Sequence, residues 1–578
     1  MAEWEPDEDV RGLIRKYALQ NALEYDGKGV MGSVLGRMMG ESPELRQFGK
    51  HLPRFVSEAV EEANQLWNDS GADHVRDMLA SESPEALEKR VKEKREGLPD
   101  LDGDTMGATL RFAPNPNGPL TLGHSRGVVI NAAYAKMYNG RVILRFDDTD
   151  TKKKRADPEA YDWIVDDYHW LTGVEQNEPL KASSRMDTYL SLAGDWISDD
   201  HLYVCECPAE DFKVKREAKE ECPCRSLTTE EHKARWKRML DPEGGWMDGS
   251  AVVRVKTGMD HKNPALRDWP ALRIQTPSHP LVGDKFRVWP LLDFQSAIDD
   301  HREGVTHIIR GKDLIDSTRK QMLLYEMVGW NYPETNYWGR VKVHEFGGFS
   351  TSQMRMDIAD GTYEGWDDPR LPTIKALRRR GYTAKALREF WSEFGLTQKD
   401  IQVPLSTLDA HNARIIDAET PRVSFIRDPV RIALDCSGVE LQNSISMNKH
   451  PEYPEMGQRV WPLDSDCGLE VLVEAADFEA ALEDGGALRL KDFADIIVDA
   501  NRGGSIQSLD KSDSRAIVNW LLSSHCQETE LYEPSGDVWA PTAGVIEAGE
   551  LKVGSMVQME RVGFAKVEAS DRLIWTHK

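Results

Sequence analysis

Cysteine is scarce, with seven in 578 residues, and the number is odd. With no secretory signal beside it, this excludes a disulfide framework as the organiser of the fold. Also missing is an unbroken apolar run of about 20 residues, the length a membrane-spanning helix needs. The opening Met-Ala-Glu-Trp-Glu-Pro-Asp-Glu-Asp-Val is acidic and lacks the basic and apolar regions of a signal peptide. Cytoplasmic residence, away from membranes, is the resulting expectation. Positive charge is in deficit: 73 Lys and Arg face 98 Asp and Glu, a formal net charge of −25. That argues against a general nucleic-acid binder, because phosphate contacts need Lys and Arg. Local basic patches can survive on an acidic body. The acidic excess also fits adaptation to high salt, as in a halophile. Neither an internal repeat nor a low-complexity segment is present.

The length suits several domains at roughly 100–200 residues each. The hydrophobic fraction of 40% suits soluble globular ones. Residues 1–105 read as a helical extension: 10–25 and 84–97 have helix-forming composition and helical apolar spacing. Residues 98–107, rich in Gly, Pro and Asp, read as a linker. From 106 the pattern becomes strand (to Phe112), turn-rich loop, helix ending at Gly140, strand 141–148 and helix 158–173. Alternation of this kind predicts a parallel α/β sheet, whose ligands sit at the carboxyl ends of the strands. Residues 201–290 interrupt it as an insertion with strand-like pieces at 249–257, 271–276 and 285–294. Strand and helix resume at 305–330, so the α/β domain spans 106–345. A loop-rich stretch around 345–357 and a basic helix at 374–381 fill 346–409. Short strands from 410 to 578 suit β-barrels.

The loop Ala113-Pro-Asn-Pro-Asn-Gly-Pro-Leu-Thr-Leu-Gly-His124 is the most informative stretch. Pro116 shapes it, and Gly118 and Gly123 leave room for a ligand near the backbone. The helix beginning at Leu122 offers its N-terminal N–H groups and positive dipole end to phosphate. His124 can donate to a phosphate oxygen as charge builds. Many Gly-His loops are only turns, so the loop alone leaves the matter open.

The motif Pro-x-Gly-x-Leu-x-x-Gly-His, here 116–124, resembles the "HIGH" signature of class I aminoacyl-tRNA synthetases. Leu144-Arg-Phe-Asp-Asp-Thr-Asp150, Arg287-Val-Trp-Pro290, residues 299–307, Arg310-Gly-Lys-Asp313 and Trp366-Asp-Asp-Pro-Arg-Leu371 resemble the glutamyl/glutaminyl subgroup of that family, in family order. The resemblance implies a Rossmann-like α/β catalytic domain, an acceptor-stem insertion and a C-terminal β-barrel anticodon-binding region of archaeal type. It implies an ATP-binding site at Pro116, Gly118, Leu122, Gly123 and His124. It also implies catalytic roles for Thr121, Gly123, His124 and the second signature, Ser350-Thr-Ser352-Gln353-Met, with Arg355 just after it. Two departures stand out. Thr121 replaces the first signature histidine, and Gln353 stands where archaeal relatives usually carry lysine. A glutamine offers only a neutral donor, so either Arg355 substitutes as the cation or the activation step is slower.

Within the subgroup, arginines matching Arg111 and Arg310 are implicated in holding the glutamate side-chain carboxylate. A carboxylate matching Asp147 holds its α-amino group. A bidentate guanidinium suits that task. The implied activity is glutamate–tRNA ligation, with ATP and Mg2+, on tRNA(Glu), tRNA(Gln) being left open as a second acceptor. A monomer is expected. The alternatives are a glutaminyl-tRNA synthetase and a catalytically weakened tRNA-binding relative. The basic helix 374–381 is expected to touch the tRNA stem or to be a solvated face.

Cys205, Cys207, Cys222 and Cys224 bring four soft ligands into one small loop, suiting tetrahedral zinc. The alternative is four reduced thiols. Cys436, Cys467 and Cys526 read as small buried hydrophobes.

Overall fold

In the computed structural model, residues 4–87, 97–176, 178–243, 245–463, 469–512, 515–535, 538–549 and 551–578 are described. The chain divides into two compact units, Met1–Arg95 and Glu96–Lys578. None of the described helices is long and apolar enough to cross a membrane.

The first unit is helical, with α1 (Glu8–Glu24), α2 (Met31–Glu41) and α3 (Leu52–Glu82). Asp7 caps α1 by accepting from Val10 N at 2.9 Å, which satisfies one of the free donors of the first turn. Ile14, Ala18 and Ala22, spaced by four, share a core with Val56, Val60 and Ala63 of α3. Of the expected helix 84–97, Pro84–Leu87 forms a 3-10 turn, and 88–96 lies outside the described residues, as does Cys467.

The second unit begins before the expected start of the α/β domain. Residues 98–107 are no free linker. Leu101 is buried, Tyr134 Oη donates to Pro99 O at 2.7 Å, and Leu101 N donates to Tyr138 Oη at 3.0 Å. Strand β1 (Thr109–Phe112) leads through the signature loop into α4 (Leu122–Met137). It pairs in parallel with β2 (Arg141–Phe146), which pairs with β3 (Leu180–Lys181) after α5 (Pro158–Thr172). The left-handed position after α4 is Asn139 (φ 52°), not Gly140 as expected. Gly140 is required for another reason: a Cβ there would collide with the Ala108 carbonyl oxygen.

The insertion follows α6 (Met186–Ser198). Its strands β4 (Leu202–Cys205), β5 (Val252–Val255), β6 (Pro270–Ile274) and β7 (Val288–Pro290) form one antiparallel sheet in chain order, with α7 (Ala209–Ala218) and α8 (Thr229–Leu240) between the first two. The strand-like piece at 285–294 ends early, because α9 (Leu292–Arg302) starts within it. A second parallel pair, β8 (His307–Gly311) and β9 (Glu334–Trp338), connects through α10 (Ile315–Val328). It adjoins β1, with Thr306 N donating to Thr109 O at 2.9 Å. The stretch expected as loop contains α11 (Thr351–Ala359), capped by Ser350. Then come α12 (Ile374–Arg380), α13 (Ala384–Phe394) and α14 (Ser406–Ile416). Trp391 of α13 is buried, and its Nε1 donates to Ser125 Oγ of α4 at 2.7 Å.

The C-terminal region holds two seven-stranded sheets. The edge strands of one are Arg422–Val423 and Phe425–Arg427, separated in the chain by Ser424 alone. Those of the other are Ala516–Val518 and Trp520–Leu522, separated by Asn519 alone. A sheet whose two edges are one residue apart must curl until they nearly meet, which makes both sheets barrel-like and leaves little open edge.

The arginines of α12 are not the free basic stripe expected. Arg378 pairs with Asp166 and stacks over Trp170, Arg379 Nε meets Glu568 at 2.6 Å, and Arg380 is buried with Nη2 donating to Thr576 O at 2.8 Å. The helix joins the signature loop to the second unit's last strands. Its N-terminal neighbours bond the loop through Leu122 N to Pro372 O and Ile374 N to Leu120 O, both 2.8 Å.

Candidate active site

A cleft of about 1010 Å³ opens at the carboxyl ends of β1, β2 and β8, where parallel sheets bind ligands. Of the residues singled out from the sequence, Arg111, His124, Asp147, Arg310, Ser350 and Ser352 line it. Pro116, Gly118, Thr121, Leu122, Gly123, Gln353 and Arg355 shape its surroundings instead.

Thr121 explains its own departure from the signature. Its hydroxyl accepts from His124 N at 3.4 Å while Thr121 N donates to His124 Nδ1 at 3.3 Å, a reciprocal cap on α4. Because Nδ1 accepts, the neutral ring carries its proton on Nε2, leaving that nitrogen as a donor. The surrounding walls, and then the Lys154 ammonium, lower the His124 pKa, which favours this neutral form. Gly118 lies against Thr351 of α11. A Cβ there would stand 2.8 Å from Thr351 Cγ2 and 3.2 Å from Trp366. Pro116 O accepts from Asp157 N at 2.8 Å, Leu122 is buried, and Gly123 sits exposed in the first turn of α4.

At α11 the side chains turn away from the expected task. Gln353 Nε2 donates to Asp357 Oδ1 at 2.7 Å along the helix. Arg355 Nη2 donates to Asn117 O at 2.6 Å and to Asp157 Oδ2 at 3.1 Å. Arg355 therefore clips α11 to the signature loop and does not line the cleft in this arrangement. Ser350, by contrast, accepts from Gln353 N at 3.2 Å and faces the cleft together with Ser352.

The opposite end is a buried charge network. Arg111 Nε lies 3.3 Å from Asp300 Oδ1. The same carboxylate oxygen receives Arg145 Nη1 at 2.7 Å, while Arg145 Nε donates to Asp147 Oδ1 at 2.9 Å. Burial works against ionisation of Asp300, but Arg111, Arg145 and Arg310 together outweigh it and hold its pKa below the ordinary range. Asp147 differs: burial prevails over Arg145 and raises its pKa. Its Oδ1 also accepts from Gln295 Nε2 at 3.0 Å, whereas Oδ2 has no hydrogen-bond partner among the described residues. Arg310, only 6% exposed, makes no ion pair among the described residues. Its Nη1 donates to the neutral Gln321 Oε1 at 3.1 Å, and its Nε is buried without an acceptor. The network thus presents one arginine paired with Asp300, one arginine that acts on Asp300 without forming an ion pair among the described residues, and one carboxylate with a free oxygen.

Asp300, Arg145, Gln295 and Gln321 carry this network and were assigned no role from the sequence. The signal was Arg145 itself, a charge inside a buried strand that must have acidic partners elsewhere.

In the insertion, Cys205 ends β4 and meets Cys222, Sγ to Sγ, at 3.9 Å; Cys207 meets Cys224 at the same distance. All four sulfurs lie within 4.8 Å of one another. Zinc–sulfur bonds of about 2.3 Å place tetrahedral sulfurs about 3.8 Å apart, so the donor set fits the ion.

The sheet, the ligand cleft at its strand ends and the two barrel-like sheets are those of an α/β enzyme with an appended β region. Residues 108–418 match the catalytic domain of the class I tRNA synthetases (E and Q), and residues 420–512 match the anti-codon binding domain of the same group. The chain belongs to this family. It is 41% identical to the glutamate–tRNA ligase of Methanothrix thermoacetophila, with 97% of this chain and 98% of that one covered. The corresponding ligase of Archaeoglobus fulgidus is 41% identical, covering 98% and 100%. That of Pyrococcus furiosus is 38% identical, covering 99% and 100%.

Proposed function

We infer that this chain is a glutamate–tRNA ligase that activates L-glutamate with ATP and transfers it to the 3′-terminal ribose of tRNA(Glu). Relatives of that name along the whole chain support the reaction. The observation that carries the amino acid is Arg310. A buried guanidinium without a carboxylate is costly, and the side-chain carboxylate of a bound glutamate compensates it. Glutamine would leave the charge unmet, so discrimination can be large. Arg111, already matched by Asp300, orients the same carboxylate, and Asp147 Oδ2 takes the α-ammonium.

ATP enters as its Mg2+ complex with its phosphates against the N-terminus of α4 and His124 Nε2. An oxygen of the glutamate α-carboxylate attacks the α-phosphorus. The bond to the bridging oxygen breaks, and pyrophosphate leaves with the electron pair. The terminal ribose hydroxyl then attacks the glutamyl carbonyl and AMP departs. Positioning and electrostatic stabilisation supply most of the acceleration. Cys205, Cys207, Cys222 and Cys224 would hold zinc, a structural ion that fixes the insertion. Metal analysis of the reduced protein should find one equivalent; its absence would overturn this assignment. The enzyme is expected to work in the cytoplasm as a monomer.

The test is tRNA-dependent ATP–pyrophosphate exchange with glutamate and glutamine in parallel. Glutamate should support exchange, glutamine should not, and Arg310→Ala should lower glutamate activation by roughly 10²–10³-fold. Equal exchange with glutamine would overturn the assignment. Charging of tRNA(Gln) transcripts in the same assay decides the second acceptor.

A further inference from the structure

The phosphate end of the cleft needs positive charge, because leaving pyrophosphate gathers negative charge as the α-phosphorus is attacked. The two residues of α11 nearest that task are occupied, Gln353 by Asp357 and Arg355 by Asn117 and Asp157. Most cations lining the cleft are engaged as well. Arg111 faces Asp300, Arg273 faces Asp150 at 3.6 Å, Lys320 meets Asp293 at 2.7 Å, and Arg310 bonds Gln321. Lys154 is the exception. It lines the cleft beside His124, and its side chain makes no hydrogen bond or ion pair among the described residues.

The backbone presents it there. The segment from Asp147 to Asp157 is tied to the signature loop at both ends, by Asp147 N to Pro114 O at 3.0 Å and Asp157 N to Pro116 O at 2.8 Å. Between these ties, Asp150 Oδ1 accepts from Lys152 N and Lys153 N, both at 3.0 Å, folding the lysine run into a turn. Lys152 faces Asp248 of the insertion at 3.7 Å. Lys154 faces the cleft, and the lowered pKa of His124 registers its field. An exposed ammonium on a tethered turn can reach phosphate oxygens without first breaking an internal pair.

We propose that Lys154 is a catalytic residue of glutamate activation, its ammonium contacting the β- and γ-phosphates of ATP and neutralising the pyrophosphate as it leaves. The proposal rests on the reading of the α4 N-terminus as the phosphate subsite. It makes Lys154 supply the positive charge that neither Gln353 nor Arg355 brings into the cleft.

The experiment uses the full chain with saturating tRNA and glutamate. Pyrophosphate exchange is measured for Lys154→Met, Lys154→Arg, His124→Ala and the double variant Lys154→Met/Gln353→Lys, with melting curves to establish folding. Lys154→Met should lower kcat for exchange by roughly 10²-fold, with the dissociation constant for tRNA unchanged. Lys154→Arg should keep activity within tenfold, and Gln353→Lys should recover at least tenfold in the Lys154→Met background. Unchanged exchange in Lys154→Met overturns the proposal. So does a fall in tRNA affinity with unchanged exchange at saturating tRNA, which would place the lysine on a nucleic-acid phosphate. If His124→Ala also leaves exchange and ATP affinity intact, the reading of the phosphate subsite itself has failed. Loss in His124→Ala alone confines the failure to Lys154.

Discussion

The two ends of the cleft are built on opposite plans. At the arginine end, the side chains of Arg111, Arg145, Asp147, Asp300 and Arg310 are almost wholly buried, and neighbouring groups fix each of them. At the α11 end Met354 anchors the helix in a small apolar cluster, but the contacts towards the signature loop and the cleft are exposed: an arginine clip, a glycine contact and a lysine open to solvent. Preorganised charges recognise a small ligand with little reorganisation, whereas a lightly held helix can move as substrate enters and product leaves. On the proposed function, specificity resides at the buried end and catalytic charge is delivered at the exposed one.

The strongest way to break this comparison is to alter the two halves of the buried network separately. Asp300→Asn leaves Arg111 without its carboxylate, while Arg145 keeps Asp147, and should cost about 3–5 kcal/mol of stability, read as a large fall in melting temperature. Arg310→Gln removes a charge that makes no ion pair among the described residues and acts on Asp300 without touching it, so it should lower the melting temperature far less than Asp300→Asn while abolishing glutamate activation. Equal destabilisation by both would mean that Arg310 is structural. At the loose end, Arg355→Ala should lower pyrophosphate exchange about tenfold without changing the melting temperature, because it frees α11 from Asn117 and Asp157 in a region that carries little stability. Gln353→Lys alone should not lower exchange. A strong melting shift in Arg355→Ala would show that the α11 end is not loosely held.

The smallest effect expected is in pH dependence, and it separates the two ends by sign. Burial raises the Asp147 pKa. As pH falls, this carboxylate takes up its proton earlier than an ordinary one, and KM for glutamate should rise first. The pKa of His124 is lowered, so the ring stays neutral as pH falls through the ordinary histidine value of 6.5. KM for ATP should therefore remain flat across that value. A histidine-like step near 6.5 in the ATP parameter would count against the neutral tautomer.

The sequence conveyed the strand-and-helix alternation, the signature loop, the cysteine set and the arginines at strand ends, because each is a local pattern. It misplaced what depends on neighbours far along the chain. The arginines of α12 read as a tRNA-contacting or solvated stripe, and their partners Asp166 and Glu568 were hidden because they belong to other segments. The hydrogen bond of Arg355 to Asn117 was hidden by their distance along the chain. Gly140 read as a helix stop, although its requirement comes from Ala108.

By itself, then, the sequence determined which chemistry the chain can carry: backbone donors at a helix start, guanidinium groups for a carboxylate and thiols for a metal. The tertiary structure alone decided which charges are neutralised before any substrate arrives. Periodicity shows that a strand is buried, but the cost of burying Arg145 is met only where Asp147 and Asp300 converge on it. The same convergence leaves Arg310 without an ion pair and, at the other end of the cleft, Lys154 without a hydrogen bond or ion pair among the described residues.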